Sequence, residues 1–287
     1  MITSELVKQL RDTTLAPMME CKKALEEANG DLERAKEILK KLGLIKAEKK
    51  IGNQTHSGLI YATVTPDLKK ASLIDLRSQT DFVSDNSEFK DLAKKVSEIA
   101  LLNEKIDFSN TDLMTVKTGN GDEVIGDQIK VAIAKFGENV EWKRGLNWQA
   151  GSDSFLEIYI HANNKLGVIL ELVGSADKPE IKSLAHDLAM HIAAMNPKYL
   201  NVEDISEKEM SDLKRIYTEQ QAVLNKPQEV MEKIIQGRME KEYQLLCLMK
   251  QNFIKDDTMT ISDLIKSISK LSGQEISVRR FNRWEID

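Results

Sequence analysis

Cysteine is scarce in this chain, with Cys21 and Cys247 the only two in 287 residues. They stand far apart without paired spacing, each among residues of helical character, so a disulfide framework is excluded and buried thiols in a reducing compartment are expected. Histidine is nearly as rare. His56, His161, His186 and His191 carry no cysteine or carboxylate arrangement of the structural zinc kind. His186 and His191 are five apart and do not share a helical face as an i, i+4 metal pair would, which makes them packing or surface residues. Phosphate-loop patterns of the GxxxxGK[ST] or GxGxxG type are missing, and Gly119-Asn120-Gly121 reads as a turn. There is no GxSxG elbow. Cys21 follows two methionines beside Lys22 and Lys23, and both a lysine-activated and a packed structural thiol fit it. No catalytic constellation, metal site or cofactor site emerges, so the chain is not expected to be an enzyme. Apolar runs of about 18 residues are absent and MITSELVKQLRD contains no signal-peptide core, pointing to the cytoplasm and away from membranes. A net charge of -5 leaves no basic surplus for coating nucleic acid.

What is present suits a protein of several modules. Hydrophobic residues make up 41% and charged residues 30%, enough for a core and for solubility, over a length that exceeds one usual domain. Three helices open the chain. Thr3 and Ser4 cap the first, which carries Leu6, Val7 and Leu10. Pro17 suits the start of the second, which ends at Asn29-Gly30, and Asp31 caps a third. That third helix places Leu32, Ala35, Ile38, Leu39 and Leu42 on one face, and Gly43 is expected to end it. Lys46, Lys49 and Lys50 lead into Gly52 and Asn53 as a solvated connector.

Beyond the connector, the runs 59–65 and 71–77 read as a hairpin, followed by a helix using Phe89, Leu92, Ala93, Val96 and Ala100. A helix over 123–136 stops at Gly137, and 140–148 is extended. The plan then repeats. Strands at 155–161 and 166–173 flank Asn163-Asn164, and a helix over 179–195 turns Ile181, Leu184, Leu188, Ile192 and Met195 inward. From 203 to 243 the sequence becomes two charged helices around Asn225-Lys226-Pro227. Ser206 and Glu209 form a capping box there, with Ile205 and Met210 at the positions of a hydrophobic staple. A helix through Ile261, Leu264, Ile265, Ile268 and Leu271 and a strand ending at Trp284 complete the second half, so the hairpin is inserted into it. The expected class is α+β. The divisions are a three-helix module at 1–45, a linker at 46–57, a first α/β half at 58–148, a second at 149–202 and 244–287, and a coiled-coil-like antiparallel hairpin at 203–243.

Between the first strand pair and its helix lies Gln79-Thr80-Asp81-Phe82-Val83, a carboxylate beside a large apolar ring. Two readings compete: Asp81 supports a turn while Phe82 enters the core, or Phe82 is an anchor for a partner's pocket.

The motifs LRDTTLAPMMECKKALEEANGDLERA (10–35) and SQTDFVSDN (78–86), with KFGEN (135–139), MHIAAMNPKYL (190–200) and KPQEVMEKIIQGRMEK (226–241), make the chain similar to the bacterial elongation factor Ts family. It departs from the family's TGAGMM, carrying Leu15 and Pro17 for two glycines, and has Asp75 and Arg77 where a glutamate and an asparagine are usual. The resemblance implies a guanine nucleotide exchange factor of translation elongation, with a UBA-like N-terminal module that grips elongation factor Tu and a core with antiparallel sheets. Thr80, Asp81, Phe82 and Val83 would then disturb the partner's magnesium site. Arg11, Met18, Met19 and Lys22 would lie on the gripping surface, with Phe136 and His161 as core contacts. Core packing explains the methionines and Phe136 equally well, and a solvent-facing strand end explains His161. The partner would be met both loaded with GDP and empty of nucleotide. Self-association and solvent-bridging helices both fit the hairpin. A ubiquitin-associated-like adaptor would leave 79–83 without a role, and an α/β enzyme would need a pocket that the sequence does not locate.

Overall fold

In the computed structural model, which describes residues 2–14, 16–103, 108, 111–119, 121–222 and 227–286, the chain divides into two units. One comprises Met1–Thr63, Ser72–Trp148 and Ile286–Asp287, the other Val64–Ala71 and Gln149–Glu285.

The first unit opens with α1 (Ser4–Thr14), α2 (Met18–Glu27) and α3 (Leu32–Glu48). Their ends follow the sequence signals. The Thr3 hydroxyl accepts the Leu6 amide at 3.2 Å, Pro17 occupies the N-cap of α2, and Asn29 and Gly30 turn left-handed to end that helix. The Asp31 carboxylate then accepts the Arg34 amide at 3.0 Å to begin α3. Val7, Leu10, Cys21, Ala24, Leu25, Ala35 and Leu39 close a small core of their own. Cys21 is fully buried there, as a packed thiol. Leu15 lies outside the described residues, as do Asn120 and the hairpin turn at Asn225 and Lys226.

Three strands, β1 (Ser57–Val64), β2 (Lys70–Ser78) and β3 (Val140–Gln149), form a sheet in the order β1-β2-β3. The connections between β2 and β3 hold α4 (Asp81–Ser84), α5 (Ser87–Leu102) and α6 (Ile125–Phe136). Phe89, Leu92 and Val96 of α5 and Ile125, Ile129 and Ile133 of α6 pack with Leu59, Ile74, Leu76 and Trp142 of the sheet. Gly43 does not end α3 as expected: the helix runs on to Glu48 and buries Ala47. The reason is that α3 lies against α6, where a Cβ on Gly43 would stand 3.0 Å from that of Ala134. Close approach of two helices outweighs the weak helix propensity of glycine. Leu42, one residue earlier, is exposed rather than on the apolar face.

Central strand β2 carries a fully buried carboxylate, Asp75. Residues two apart on a strand share a face, and Arg77 meets it with Nε at 2.6 Å and a second guanidinium nitrogen at 3.0 Å, while Arg144 Nε lies 3.0 Å away. Asp75 and Arg77 are therefore partners of one another.

The second unit contains β4 (Ser154–Ile160), β5 (Leu166–Val173), α7 (Pro179–Met195), α8 (Glu207–Ala222), α9 (Gln228–Leu246), β6 (Asn252–Phe253), β7 (Asp256–Thr260), α10 (Ile261–Ser272) and β8 (Ser277–Glu285). Its main sheet, β4-β5-β8, is antiparallel, with Ser154 opposite Val173 and Gly167 opposite Trp284. Val168, Leu170 and Leu172 pack under Ile181, Leu184, Leu188 and Ile192 of α7 and Ile261 and Ile265 of α10. Met195, expected inward, is exposed in the last turn. Helices α8 and α9 run antiparallel between α7 and the closing strands. Tyr217 bonds to Glu242, Arg238 reaches Gln220 at 2.6 Å, and the Tyr243 hydroxyl reaches the Met210 sulfur at 3.0 Å. The capping box at the start of α8 is half formed. Ser206 Oγ accepts the Glu209 amide at 3.2 Å, but the Glu209 carboxylate is drawn away by Lys198 at 2.7 Å and by the Tyr199 hydroxyl. Among the described residues no helix is long and apolar enough to cross a membrane.

Candidate functional site

At the end of β2 the chain must leave a buried strand and start α5 within a few residues, and it does so through the single turn α4. Thr80 is still extended, with φ −123° and ψ 159°. The turn closes by hydrogen bonds from the Ser84 amide to the Thr80 carbonyl and from the Asp85 amide to the Asp81 carbonyl, and the Asn86 side chain then caps α5 by accepting the Glu88 amide at 2.8 Å. Successive residues of a helical turn point about 100° apart, so the four residues of α4 divide between a solvent side, Asp81 and Phe82, and a core side, Val83 and Ser84. Val83 is 8% exposed and belongs to the core of the first unit, and Ser84 is buried with its hydroxyl 3.0 Å from that of Ser57. Phe82 points the other way and is 87% exposed. Asp81 is exposed beside it, its carboxylate accepting the Phe82 amide at 3.0 Å. The alternative in which Phe82 enters the core is thereby removed, while Val83 enters it instead.

The other side of the turn is held from a distance in sequence. Gly137 ends α6 in a left-handed conformation, φ 73°, which swings residues 138 and 139 beneath 79 and 80. Both Glu138 oxygens accept from Thr80. The hydroxyl lies 2.8 Å from Oε1 and the amide 3.1 Å from Oε2. Asn139, buried, donates its amide to Gln79 Oε1 at 2.9 Å and its side-chain nitrogen to the Asn53 carbonyl at 2.8 Å. The end of α6 is itself fixed to the start of α5 by the Lys135–Glu88 ion pair and by an edge-on contact of Phe136 with Phe89, ring centres 6.2 Å apart. An exposed phenylalanine thus sits on a turn anchored below by Val83 and Ser84 and behind by Glu138 and Asn139.

A family model described as Elongation factor TS matches residues 79–287, a span that takes in this turn. Curated relatives named Elongation factor Ts extend the likeness to 99% of the chain. The protein of Aquifex aeolicus (strain VF5) is 39% identical with 98% of its own length covered, that of Clostridium perfringens (strain SM101 / Type A) 36% with 93%, and that of Clostridioides difficile (strain 630) 35% with 92%. The chain belongs to the elongation factor Ts family.

The other residues that elongation factor Ts resemblance singled out fall in different places. Arg11 is exposed in the last turn of α1. Met18 and Met19 open α2 and are 45% and 64% exposed, so core packing does not account for them. Lys22, one turn on, is exposed and 3.9 Å from Glu26. These four belong to the three-helix module. Phe136 is partly buried against Phe89, in keeping with the core-facing reading. His161 belongs to the second unit, exposed at the β4–β5 turn with its Nδ1 3.0 Å from the Tyr159 hydroxyl. Glu138 and Asn139 were visible in the sequence only as part of KFGEN. Nothing in their spacing from Thr80 betrays that they support it.

Proposed function

We propose that this chain is a guanine nucleotide exchange factor of translation elongation that acts by contact, without a covalent step, on GDP-bound elongation factor Tu in the cytoplasm. Family membership supports the exchange role. The observation that carries the mechanism is Phe82, an aromatic ring left 87% exposed on a turn that is otherwise anchored. Aromatic side chains held in that way serve as anchors that fill a partner's pocket. Phe82 wedges between apolar side chains of the GTPase, and the adjacent Asp81 carboxylate alters the field around the partner's magnesium and phosphates. Because that magnesium neutralises the GDP phosphates, disturbing it speeds nucleotide release. Linkage then requires that nucleotide weaken the factor's binding as much as the factor weakens nucleotide binding, so incoming GTP expels it. Exposed Met18 and Met19, with flexible thioethers suited to adaptable interfaces, supply part of the grip together with Arg11 and Lys22.

Release of labelled GDP from elongation factor Tu, timed with and without the protein, tests this reading. Phe82→Ala is expected to slow catalysed release about thirtyfold, the equivalent of ~2 kcal/mol for a truncated anchor, with a smaller change in binding. Release at the wild-type rate would sink the wedge role.

A further inference from the structure

We infer that Glu138 is a positioning residue for exchange, holding the turn that presents Asp81 and Phe82; the inference rests on the reading of Phe82 as the wedge.

Phe82 is almost fully in water, so its own fold offers the ring nothing to lean on, and the direction it points is set by the backbone of residues 80–83. One side of that backbone is secured by burial, through Val83 in the core and Ser84 against Ser57. The other side, at Thr80, is held by two side chains: the Ser78 hydroxyl donates to the Thr80 carbonyl at 2.9 Å, and Glu138 takes the amide and the hydroxyl. Glu138 accepts the Thr80 amide at 3.1 Å and the Thr80 hydroxyl at 2.8 and 3.0 Å, fixing both the peptide plane and the side chain of the residue before α4. Hydrogen bonds to a carboxylate are stronger than neutral ones, and a two-oxygen grip on one residue restricts rotation as well as distance. The carboxylate is itself well placed to resist a load. It follows the left-handed Gly137 and precedes Asn139, which is buried and bonded to both Gln79 and the Asn53 carbonyl. A wedge pressed into a partner transmits its reaction force to this mounting. Without Glu138 the turn keeps its core anchors and the protein keeps its fold, but Phe82 meets the GTPase over a spread of angles. Small misplacements of a group that acts by position are expensive.

The test is a double-mutant cycle read by GDP release from elongation factor Tu. Glu138→Gln keeps the shape and removes the charge. It is expected to lower the maximal release rate about fivefold to tenfold, with the half-saturating concentration changed less than about twofold. In a Phe82→Ala background the same substitution should have a clearly smaller effect, since only Asp81 is left to aim. Thr80→Val, which removes the hydroxyl from the other end of the bond, should reproduce the defect, and thermal unfolding of each variant should match the wild type. If Glu138→Gln slows release equally with and without Phe82, Glu138 acts elsewhere and the inference fails. If it changes nothing while Phe82→Ala slows release, the positioning role alone is lost and the exchange reading stands. If neither substitution slows release, the wedge reading falls and carries this one with it.

Discussion

A phenylalanine ring kept in water forgoes about 2 kcal/mol of burial that a core position would provide. Because Phe82 contributes no such burial, its replacement by alanine should leave the thermal unfolding midpoint of the chain where it was, even as release slows. Asp75 is the opposite case. Its carboxylate is buried between Arg77 and Arg144, and a charge of that kind is stable only while its partners are present. Asp75→Asn leaves both guanidinium groups facing a neutral amide and is expected to cost about 3 kcal/mol in urea unfolding. The sequence discloses each residue and its neighbours but not which way it faces. Phe82 and Val83 are adjacent, both apolar, and one turn of helix sends them to opposite environments.

Helices and strands were the most legible level. Capping residues ended α2 and began α3 where Asn29-Gly30 and Asp31 stand, and Gly137 closed α6 in a left-handed turn. Such signals are local, and local chemistry decides a helix end unless packing intervenes. At Gly43 packing does intervene. The small residue that reads as a stop is instead the contact point of α3 with α6. Gly43→Leu would force that crossing apart, and we expect a loss of about 1 to 3 kcal/mol in denaturant unfolding although leucine is the better helix former. The half-formed capping box of α8 has the same origin, because Lys198 and Tyr199 compete for the Glu209 carboxylate from a neighbouring segment.

At the scale of the whole molecule, acid should loosen the second unit, because it holds two groups whose protonation is tied to its packing. Burial pushes the His191 imidazole below its ordinary value of 6.5, against the bond to Gln251, while the Ile254 amide donates to its Nδ1 at 3.3 Å. Burial of Glu171 acts to raise its carboxyl, but the Ser154 hydroxyl, the Gly151 amide and the guanidinium groups of Arg280 and Arg279 outweigh it and hold the value at about 2, below the ordinary 4.5. In both cases the unfolded chain takes up the proton more readily than the folded one. The stability involved is therefore complete above the ordinary value and is lost as the pH falls through the folded one. For His191 the loss begins below pH 6.5, and for Glu171 it runs from about 4.5 down to about 2. Hydrogen exchange followed in β5 and α7 should show protection, corrected for intrinsic rates, falling once the pH drops below 6.5 and again from 4.5 down to about 2. Replacement of His191 by a residue that does not titrate should abolish the first fall.

The sequence by itself determined the class of fold, the helix ends where capping is local, the repeat of strand pair and helix, and, through SQTDFVSDN and the N-terminal motif, the family. Those properties reside in short-range periodicity, capping and motif identity, all of which are written in consecutive residues. Only the tertiary structure decided that Phe82 faces water while Val83 is buried, that Gly43 serves a helix crossing, that Asp75 and Arg77 pair, and that Glu138 grips Thr80 from 58 positions away. Each depends on which surfaces meet, and a hydrogen bond or close contact across such a separation leaves no trace in the spacing of residues along the chain.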